Sequence, residues 1–367
     1  MTSKEAIHLA YFISAHGFGH AARASAVMAA IGDLLPSVHF DIYSQIPQWF
    51  FNESLSGLSF SVYPEKTDIG LVQKKPMEQD LDATLLALDH FLPFDKENLH
   101  RLSEAIQKQR CRVVICDIAP LGLAAASEAN LPSILIENFT WDWIYEEYTP
   151  THPEFKKHIS YLNNIFATAQ YHIQTEPICQ KNSNAILTTF PVSRKPRQTP
   201  EETRRLLRMP TDGIMALVTM GGIPEEFKKL EEVQKIERFY LVVPGGHVDY
   251  LWKDHLILLP HHSSFYHPDL INASDVVIGK AGYSTISEIY HAGIPFGFIS
   301  RSNFREAQPL ADFIRREMNG FEVSEETYLQ NRWGEMLPVL LEIPRIKRTT
   351  PNGCEQIAQF IYSLLKS

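Results

Sequence analysis

Short apolar segments alternate with helical patterns through the first half of this chain. Residues 112–117 (RVVICD) are apolar between charged ends, as is typical of a strand buried on both faces of a parallel sheet. A helical pattern follows at 121–129 and another apolar strand at 133–137. Strands that alternate with helices form βαβ units, whose right-handed crossovers build a doubly wound parallel sheet. This half is therefore predicted to be an α/β domain.

The second half repeats the scheme. Strands are predicted at 214–219, 238–243, 256–259, 276–278 and 296–299. Between the halves, SRKPRQTPEE is rich in proline and charge, and Thr199 begins a capping box with proline at the first helical position. The basic cluster before it, Arg194, Lys195 and Arg197, is interpreted as solvated linker.

A length of 367 residues suits two domains better than one. We predict an α/β architecture of two Rossmann-like, doubly wound domains that face each other across a ligand cleft. The N-terminal domain is assigned to 1–192 and the C-terminal domain to 199–351. A final amphipathic helix, at 352–367, is expected to pack back on the N-terminal domain.

Charge and cysteine content narrow the class of partner. The chain has 34 Lys and Arg against 43 Asp and Glu, a formal net charge of −9, which argues against nucleic acid as a main partner. Its four cysteines show no CxxC or zinc spacing and are expected to be reduced thiols in a cytoplasmic protein. No apolar run reaches the roughly 18 residues of a membrane span. A transmembrane segment is not expected, whereas a peripheral membrane contact stays open.

The sequence GKAGYSTISEIYHAGIP follows an apolar strand and opens a helix. Gly279 and Gly282 allow a tight turn, and Ser284 and Thr285 are expected to cap the helix with their hydroxyls. Free N–H groups and the helix dipole at such a start favour phosphate, and Glu288 lies one turn on, at a distance suited to a ribose diol. The alternative is an ordinary βα turn with a solvated glutamate.

The first strand runs into HGFGHAAR, at the position where a doubly wound sheet presents its ligand turn. Gly17 and Gly19 allow the backbone to approach a substrate closely. His20 lies at the helix N-terminus, which disfavours a protonated ring, so it is a candidate general base, with His16 as a second candidate. Asp117, at the end of its strand, is predicted to orient the histidine. The alternatives are structural turn residues and an Asx cap.

Further candidates lie in loops expected at the same edge. Two tryptophans of ENFTWDWIYEEY could stack on sugars or form interdomain core, and polar loop residues suit sugar hydroxyls. A metal role for His261, His262 and His267 is rejected because no helical ligand pattern joins them. The acceptor candidates are Asp68, Gln73, Trp141 and Trp143, and the further donor candidates are Gly221, Gly222, Phe265, Tyr266, Arg305, Glu306 and Gln308.

These motifs resemble those of GT-B glycosyltransferases, especially the family 28 type that includes the peptidoglycan lipid-linked GlcNAc transferase. GKAGYSTISEIYHAGIP is similar to their nucleotide-sugar motif, and HGFGHAAR to their N-terminal glycine loop, with His20 matching its closing histidine. HGFGHAAR, CDIAPLGLAAASEANLPS, ENFTWDWIYEEY and TDIGLVQ also have counterparts in the glycosyltransferase-like N-terminal part of plant L-arabinokinases. Nothing in the chain resembles the phosphate-binding loops of their kinase half.

The resemblance implies an inverting, metal-independent transfer of a hexosyl or N-acetylhexosaminyl group, without a cofactor, from a nucleotide diphosphate donor. The donor is expected to be a UDP-sugar, and the acceptor a hydroxyl of a small molecule, glycan or lipid-linked molecule. Gly282, Tyr283, Ser284 and Thr285 match the diphosphate turn, and Glu288 the ribose carboxylate. Ala15 and His16 replace glycines of the lipid-linked transferases, so the resemblance does not carry the acceptor class of those enzymes over to this chain. Alternatives are a nucleotide-sugar hydrolase and a non-catalytic nucleotide-sugar-binding protein.

Overall fold

The computed structural model describes residues 6–75, 78–219, 239–300, 304–330 and 332–366. The chain divides into two compact units. Unit 1 consists of Met1–Val192 together with Pro351–Ser367, and unit 2 of Ser193–Thr350. No helix in the described ranges is long and apolar enough to cross a membrane.

Unit 1 is built on a seven-stranded parallel sheet. Its strands are β1 (Ile7–Ile13), β2 (Val38–Tyr43), β3 (Ser59–Tyr63), β4 (Gln73–Lys75), β5 (Glu78–Gln79), β6 (Val114–Asp117), β7 (Ser133–Glu137), β8 (Tyr171–Thr175) and β9 (Leu187–Thr189). Its first helices are α1 (Phe18–Leu34), α2 (Gln48–Ser54), α3 (Leu81–Phe91), α4 (Lys96–Lys108), α5 (Pro120–Ala129), α6 (Trp141–Glu146) and α7 (Phe155–Phe166). The sheet order is β3-β2-β1-β6-β7-β8-β9, with β4 and β5 as a separate ribbon.

Unit 2 is built on a second seven-stranded sheet. Its strands are β10 (Ile214–Thr219), β11 (Phe239–Pro244), β12 (Leu251–Lys253), β13 (Leu256–Leu259), β14 (Val276–Lys280), β15 (Phe296–Ile299) and β16 (Phe321–Glu322). Its helices in the described ranges are α8 (Pro200–Leu206), α9 (His267–Ala273), α10 (Tyr283–Ala292), α11 (Ala307–Glu317), α12 (Glu325–Leu329) and α13 (Leu337–Leu341), with a 3₁₀ turn at Arg332–Met336. The order is β12-β13-β11-β10-β14-β15-β16, and only β12 pairs antiparallel within the described sheet.

Both sheets reverse their strand order at the position where a doubly wound fold binds ligands. In unit 1 the reversal lies between β1 and β6, and in unit 2 between β10 and β14. Ligands of open α/β sheets bind at the carboxyl ends of the strands flanking such a point. The predicted α/β class is confirmed, and the reversal points are where HGFGHAAR and GKAGYSTISEIYHAGIP begin.

The last helix, α14 (Gly353–Lys366), belongs to unit 1 and packs against α1. The Asn352 side chain accepts a hydrogen bond from the amide of Cys354 at 3.2 Å, which satisfies one of the free donors at the helix start. Ile357 and Ile361 of this helix are fully buried. The predicted capping box at Thr199 is also present and begins α8.

Gly279 lies inside β14 rather than in a turn, and its lack of a side chain is a packing requirement. A Cβ built there lies 2.1 Å from the carbonyl oxygen of Thr219 on β10. We expect Gly279→Ala to lower the free energy of unfolding by about 1–3 kcal/mol, because the neighbouring backbone must move. Urea denaturation measures this loss. Gly282→Ala is the control, since a Cβ there meets nothing within 4 Å, and equal losses in both variants would contradict the packing argument.

Candidate functional site

The turn after β1 sets the position of His20. Gly17 is the N-cap of α1 at a φ of 80°, in the left-handed region that favours glycine. The helix therefore begins at Phe18, earlier than the sequence pattern indicates, and Gly19 and His20 are its second and third residues. No side chain caps this helix. His20 is buried, 8% exposed, at the carboxyl end of β1.

A buried hydrogen-bonded triad joins His20 to β6. The Nδ1 atom of His20 lies 3.0 Å from Oδ1 of Asp117. Arg23 donates from Nε to Oδ2 of Asp117 at 2.8 Å and from Nη2 to Oδ1 at 2.7 Å. Arg23 also donates from Nη1 to Oδ1 of Asn138 at 2.7 Å, so the network reaches the end of β7. Such a bidentate arginine–carboxylate pair fixes the orientation of the carboxylate.

The charges of the triad settle the ionisation of Asp117. Burial alone raises the pKa of this carboxyl, but the Arg23 guanidinium and the His20 ring outweigh burial and hold the pKa below its usual range. Asp117 is therefore ionised at neutral pH and acts only as an acceptor. The alternative interpretation as a helix cap is wrong, because Ala119 is the N-cap of α5 and no side chain caps that helix.

Arg23 is the functional residue that the sequence interpretation missed. It is 1% exposed and lies three residues after His20, so both side chains point to the same side of α1. The only sequence signal for Arg23 was a charged residue within an alanine-rich stretch of the helix whose neighbours are buried. A buried arginine requires a carboxylate partner, and the nearest strand end supplies one.

The aromatic segment supports the loop 64–72 beside this triad. Trp141 donates from its indole nitrogen to Asp68 at 3.0 Å, and the Tyr145 hydroxyl donates to the carbonyl of Gly70 at 2.7 Å. The His16 ring meets Trp141 edge-on at 5.2 Å. Trp141 is 1% exposed, so its ring is not an exposed platform for sugars.

The other acceptor candidates are placed differently. Trp143 is buried and borders a polar cavity of about 480 Å³ that Glu137 and Asp142 also line. Gln73 is exposed in the β4–β5 ribbon. Burial raises the pKa of Asp68 above its ordinary value, although hydrogen bonds with Ser14 and Trp141 oppose the shift. His20 and Asp117 also influence the pKa of Asp68, so Asp68 lies near the triad.

In unit 2, α10 begins at Tyr283 directly after its N-cap, Gly282. The expectation that Ser284 and Thr285 cap this helix is wrong, because no side chain makes a cap hydrogen bond there. Gly282 has a φ of −120°, which any residue can adopt, and open space where a side chain would stand. A glycine at this position therefore leaves room in front of the helix start rather than meeting a backbone requirement.

Glu288 is buried, 5% exposed, and both of its carboxylate oxygens are engaged. Arg194 donates to Oε1 at 3.0 Å, and Nδ1 of His267 lies 2.9 Å from Oε2. Burial alone raises the pKa of Glu288, but Arg194 and then His267 outweigh it and hold the pKa below its ordinary value. The side chain of Arg194 is only 8% exposed, so its interpretation as solvated linker is wrong.

The remaining donor candidates of unit 2 lie around this pair or at the next strand end. Tyr266 is buried at the N-cap of α9 with the guanidinium of Arg197 over its ring at 4.1 Å, and Phe265 packs against the core. Arg305 and Glu306 precede α11, and the Gln308 amide donates to Asp312 at 2.8 Å within that helix. Gly221 and Gly222 lie outside the described residues.

Comparison with known proteins gives one curated relative and many structural neighbours. No family model matches the chain. The L-arabinokinase of Arabidopsis thaliana is 25% identical over 363 residues, which cover 98% of this chain but 34% of that protein. The chain thus spans about a third of the length of that relative.

Two solved structures show the fold. The calicheamicin glycosyltransferase CalG4 superposes with a TM-score of 0.62 at 14% identity, covering 99% of both chains. A UDP-glucosyltransferase from Polygonum tinctorium, solved with 3,4-dichloroaniline, superposes with a TM-score of 0.61 at 13% identity, covering 100% of both chains. The expected resemblance is confirmed: the chain has the GT-B fold of these glycosyltransferases, and over nearly its whole length it resembles the plant L-arabinokinase in sequence.

Proposed function

We propose that this protein is a glycosyltransferase that moves a sugar from a UDP-sugar to a hydroxyl acceptor, with inversion and without a metal in the transfer. The observation that carries the proposal is the 3.0 Å contact between His20 and the ionised Asp117 at the sheet reversal of unit 1. A histidine oriented by a carboxylate is a recurrent arrangement for removing a proton from a hydroxyl.

The contact favours Nε2 of His20 as the nitrogen that acts as the proposed base. Because Asp117 only accepts, the hydrogen bond requires the proton on Nδ1 and leaves Nε2 with a free lone pair. Arg23 Nη2 lies 3.4 Å from the same Nδ1, farther than the carboxylate. In the proposed step Nε2 takes the acceptor proton while the acceptor oxygen bonds to the anomeric carbon. The bond from that carbon to the diphosphate breaks, and its electron pair leaves on the diphosphate oxygen.

Unit 2 is proposed to hold the leaving diphosphate and its ribose. The uncapped start of α10 offers amide donors and the positive end of a helix dipole, which stabilise the charge that grows on the diphosphate. A carboxylate has about four lone-pair sites, so Glu288 can accept from a ribose hydroxyl while it keeps Arg194 and His267. The fold shared with a UDP-glucosyltransferase supports uridine as the nucleoside of the donor.

UDP is expected to raise the melting temperature of the protein, because a ligand that binds only the folded state stabilises it. Gly282→Asp gives the sharper test. An aspartate N-cap stabilises the unliganded helix by some tenths of a kcal/mol, yet its charge and side chain occupy the space in front of α10. The variant should therefore melt at or above the wild-type temperature without UDP and bind UDP at least about tenfold more weakly, a loss of 1.4 kcal/mol. Thermal shift and isothermal titration calorimetry measure the two quantities.

Gly282→Ala is the matched control, since it adds a Cβ without charge and should keep most of the UDP affinity. If neither a uridine nucleotide nor any other nucleotide changes the melting temperature of the wild-type protein, the donor assignment is wrong. Unchanged UDP affinity in Gly282→Asp would place the diphosphate elsewhere in the protein.

A further inference from the structure

A second group of polar side chains lies on unit 1 at the opposite ends of its strands. In the parallel register His8 of β1 lies opposite His39 of β2, and His39 lies opposite Ser59 of β3. Asp41 is two residues after His39, so both side chains project from the same face of β2. The strand sequences IHLAYFI and VHFDIY thus bring two imidazoles and one carboxylate together on one face of the sheet.

The three side chains lie close enough together for one ion to contact all of them. Their donor atoms all lie within 4.8 Å of one another. Nδ1 of His8 is 2.8 Å from Oδ2 of Asp41, and Nε2 of His39 is 3.7 Å from Oδ1. Ligand atoms about 2.0–2.2 Å from a tetrahedral Zn²⁺ lie roughly 3.3–3.6 Å apart, so the side chains rotate on binding to bring their donor atoms to that spacing.

The charge of Asp41 is balanced differently from the charges of Asp117 and Glu288. Its side chain is 1% exposed, yet within the described part of the chain it forms no ion pair with a lysine or arginine. Asp117 and Glu288, by contrast, each hold an arginine. A buried carboxylate without compensating positive charge is costly. A bound divalent ion would supply that charge.

The surroundings of the group also suit a metal centre. Nδ1 of His39 lies 2.7 Å from the Ser59 hydroxyl and Nε2 lies 3.1 Å from the Ser61 hydroxyl. The Ser59 contact fixes the ring orientation, as outer hydrogen bonds do in metal sites, while Nε2 exchanges its Ser61 contact for the ion. The Tyr63 hydroxyl donates to Asp41 at 3.3 Å. The His8 side chain is 29% exposed, so an ion can enter from solvent.

We propose that His8, His39 and Asp41 bind one divalent transition-metal ion of the Zn²⁺ class, with water completing its coordination. Two imidazoles and a carboxylate are a donor set that zinc accepts readily. His8 precedes Ser14, at the other end of β1, by six residues, which is about 20 Å of strand. The ion is thus remote from His20 and takes no part in sugar transfer. Its role is to hold β1 and β2 together at their amino ends.

The test measures metal directly on the full-length protein. After treatment with a chelator, wild-type protein dialysed against Zn²⁺ should retain about one ion per chain, and Co²⁺ should give the visible absorption of a low-symmetry site. His39→Gln should weaken Zn²⁺ binding at least about 100-fold. Zn²⁺ should raise the melting temperature of the wild type but not of this variant. His8→Gln, a more exposed position, should behave in the same way and serves if His39→Gln does not fold.

The double variant His261→Gln/His262→Gln is the matched control, because it removes an exposed histidine pair from unit 2. It should keep the bound ion. Failure of the wild type to retain Zn²⁺ or Co²⁺ would overturn the proposal, as would loss of the ion in the control rather than in His8→Gln or His39→Gln. Neither outcome of the metal test changes the UDP binding expected of the protein. The metal proposal and the proposed function are therefore tested independently.

Discussion

Replacing His20 with alanine is expected to lower kcat for sugar transfer by about 10²–10⁴-fold, the usual contribution of a general base. UDP affinity should remain, since the proposed diphosphate and ribose contacts belong to α10 and Glu288. The fold should remain too, because Asp117 keeps both of its hydrogen bonds from Arg23 in the variant. UDP release is measured with the nucleotide sugar that gives the largest melting shift and a panel of hydroxyl acceptors.

His16→Ala is the matched control for this prediction. His16 follows the same strand, but its ring packs against Trp141. A Cβ built on Gly70 would lie 2.6 Å from Nδ1 of His16, so the ring packs closely against the loop 64–72. We expect a much smaller loss of kcat from His16→Ala. The reverse order would move the base to His16.

The same assay separates transfer from the two other functions considered for this chain. Steady release of free sugar without an acceptor, lost in His20→Ala, would identify a nucleotide-sugar hydrolase. UDP-sugar binding without turnover in wild type and variant alike would identify a binding protein. Formation of a glycosylated product, lost in His20→Ala, is the result expected of a transferase.

Local patterns were sufficient to predict the elements that carry both sites. Continuous apolar strands and glycine turns are short-range signals, so the helices after β1 and β14 were predictable within a few residues. Asp117, 97 residues from His20, was predictable as its partner because the carboxyl ends of adjacent parallel strands meet at one edge.

The long-range ion pair of Glu288 was not predictable. Arg194 looks like part of a charged linker, and only the fold shows that it pairs with Glu288, 94 residues away. Similarly, Gly282 and Ser284 lie two residues apart, and the sequence pattern fits either of them as the N-cap. The His8 and His39 group depends on strand register, which alternation along a single strand does not determine.

Arg23→Met is expected to lower the free energy of unfolding at pH 7 by about 3–5 kcal/mol, the usual loss when one partner of a buried ion pair is removed. Methionine keeps most of the apolar stem, so the loss reports the charge. Arg101→Met is the matched control: Arg101 is 59% exposed and pairs with Glu65 at the surface, where such pairs contribute about 0–1 kcal/mol. Urea unfolding at pH 7 compares the two variants.

The pH dependence identifies the cause of that loss. In the wild type the lowered pKa of Asp117 makes its contribution complete above the ordinary carboxyl value of 3.8, and the contribution is lost only as pH falls below that value. In Arg23→Met burial is opposed by His20 alone, so the pKa of Asp117 should rise, and protonation should relieve the cost as pH falls. The difference in the free energy of unfolding between variant and wild type should therefore narrow from pH 7 to pH 5.

Asp117→Asn in the Arg23→Met background should recover part of the lost free energy of unfolding at pH 7, because it removes the buried charge. If the difference in the free energy of unfolding stays constant with pH and Asp117→Asn recovers none of it, Arg23 stabilises unit 1 through packing and not through its charge.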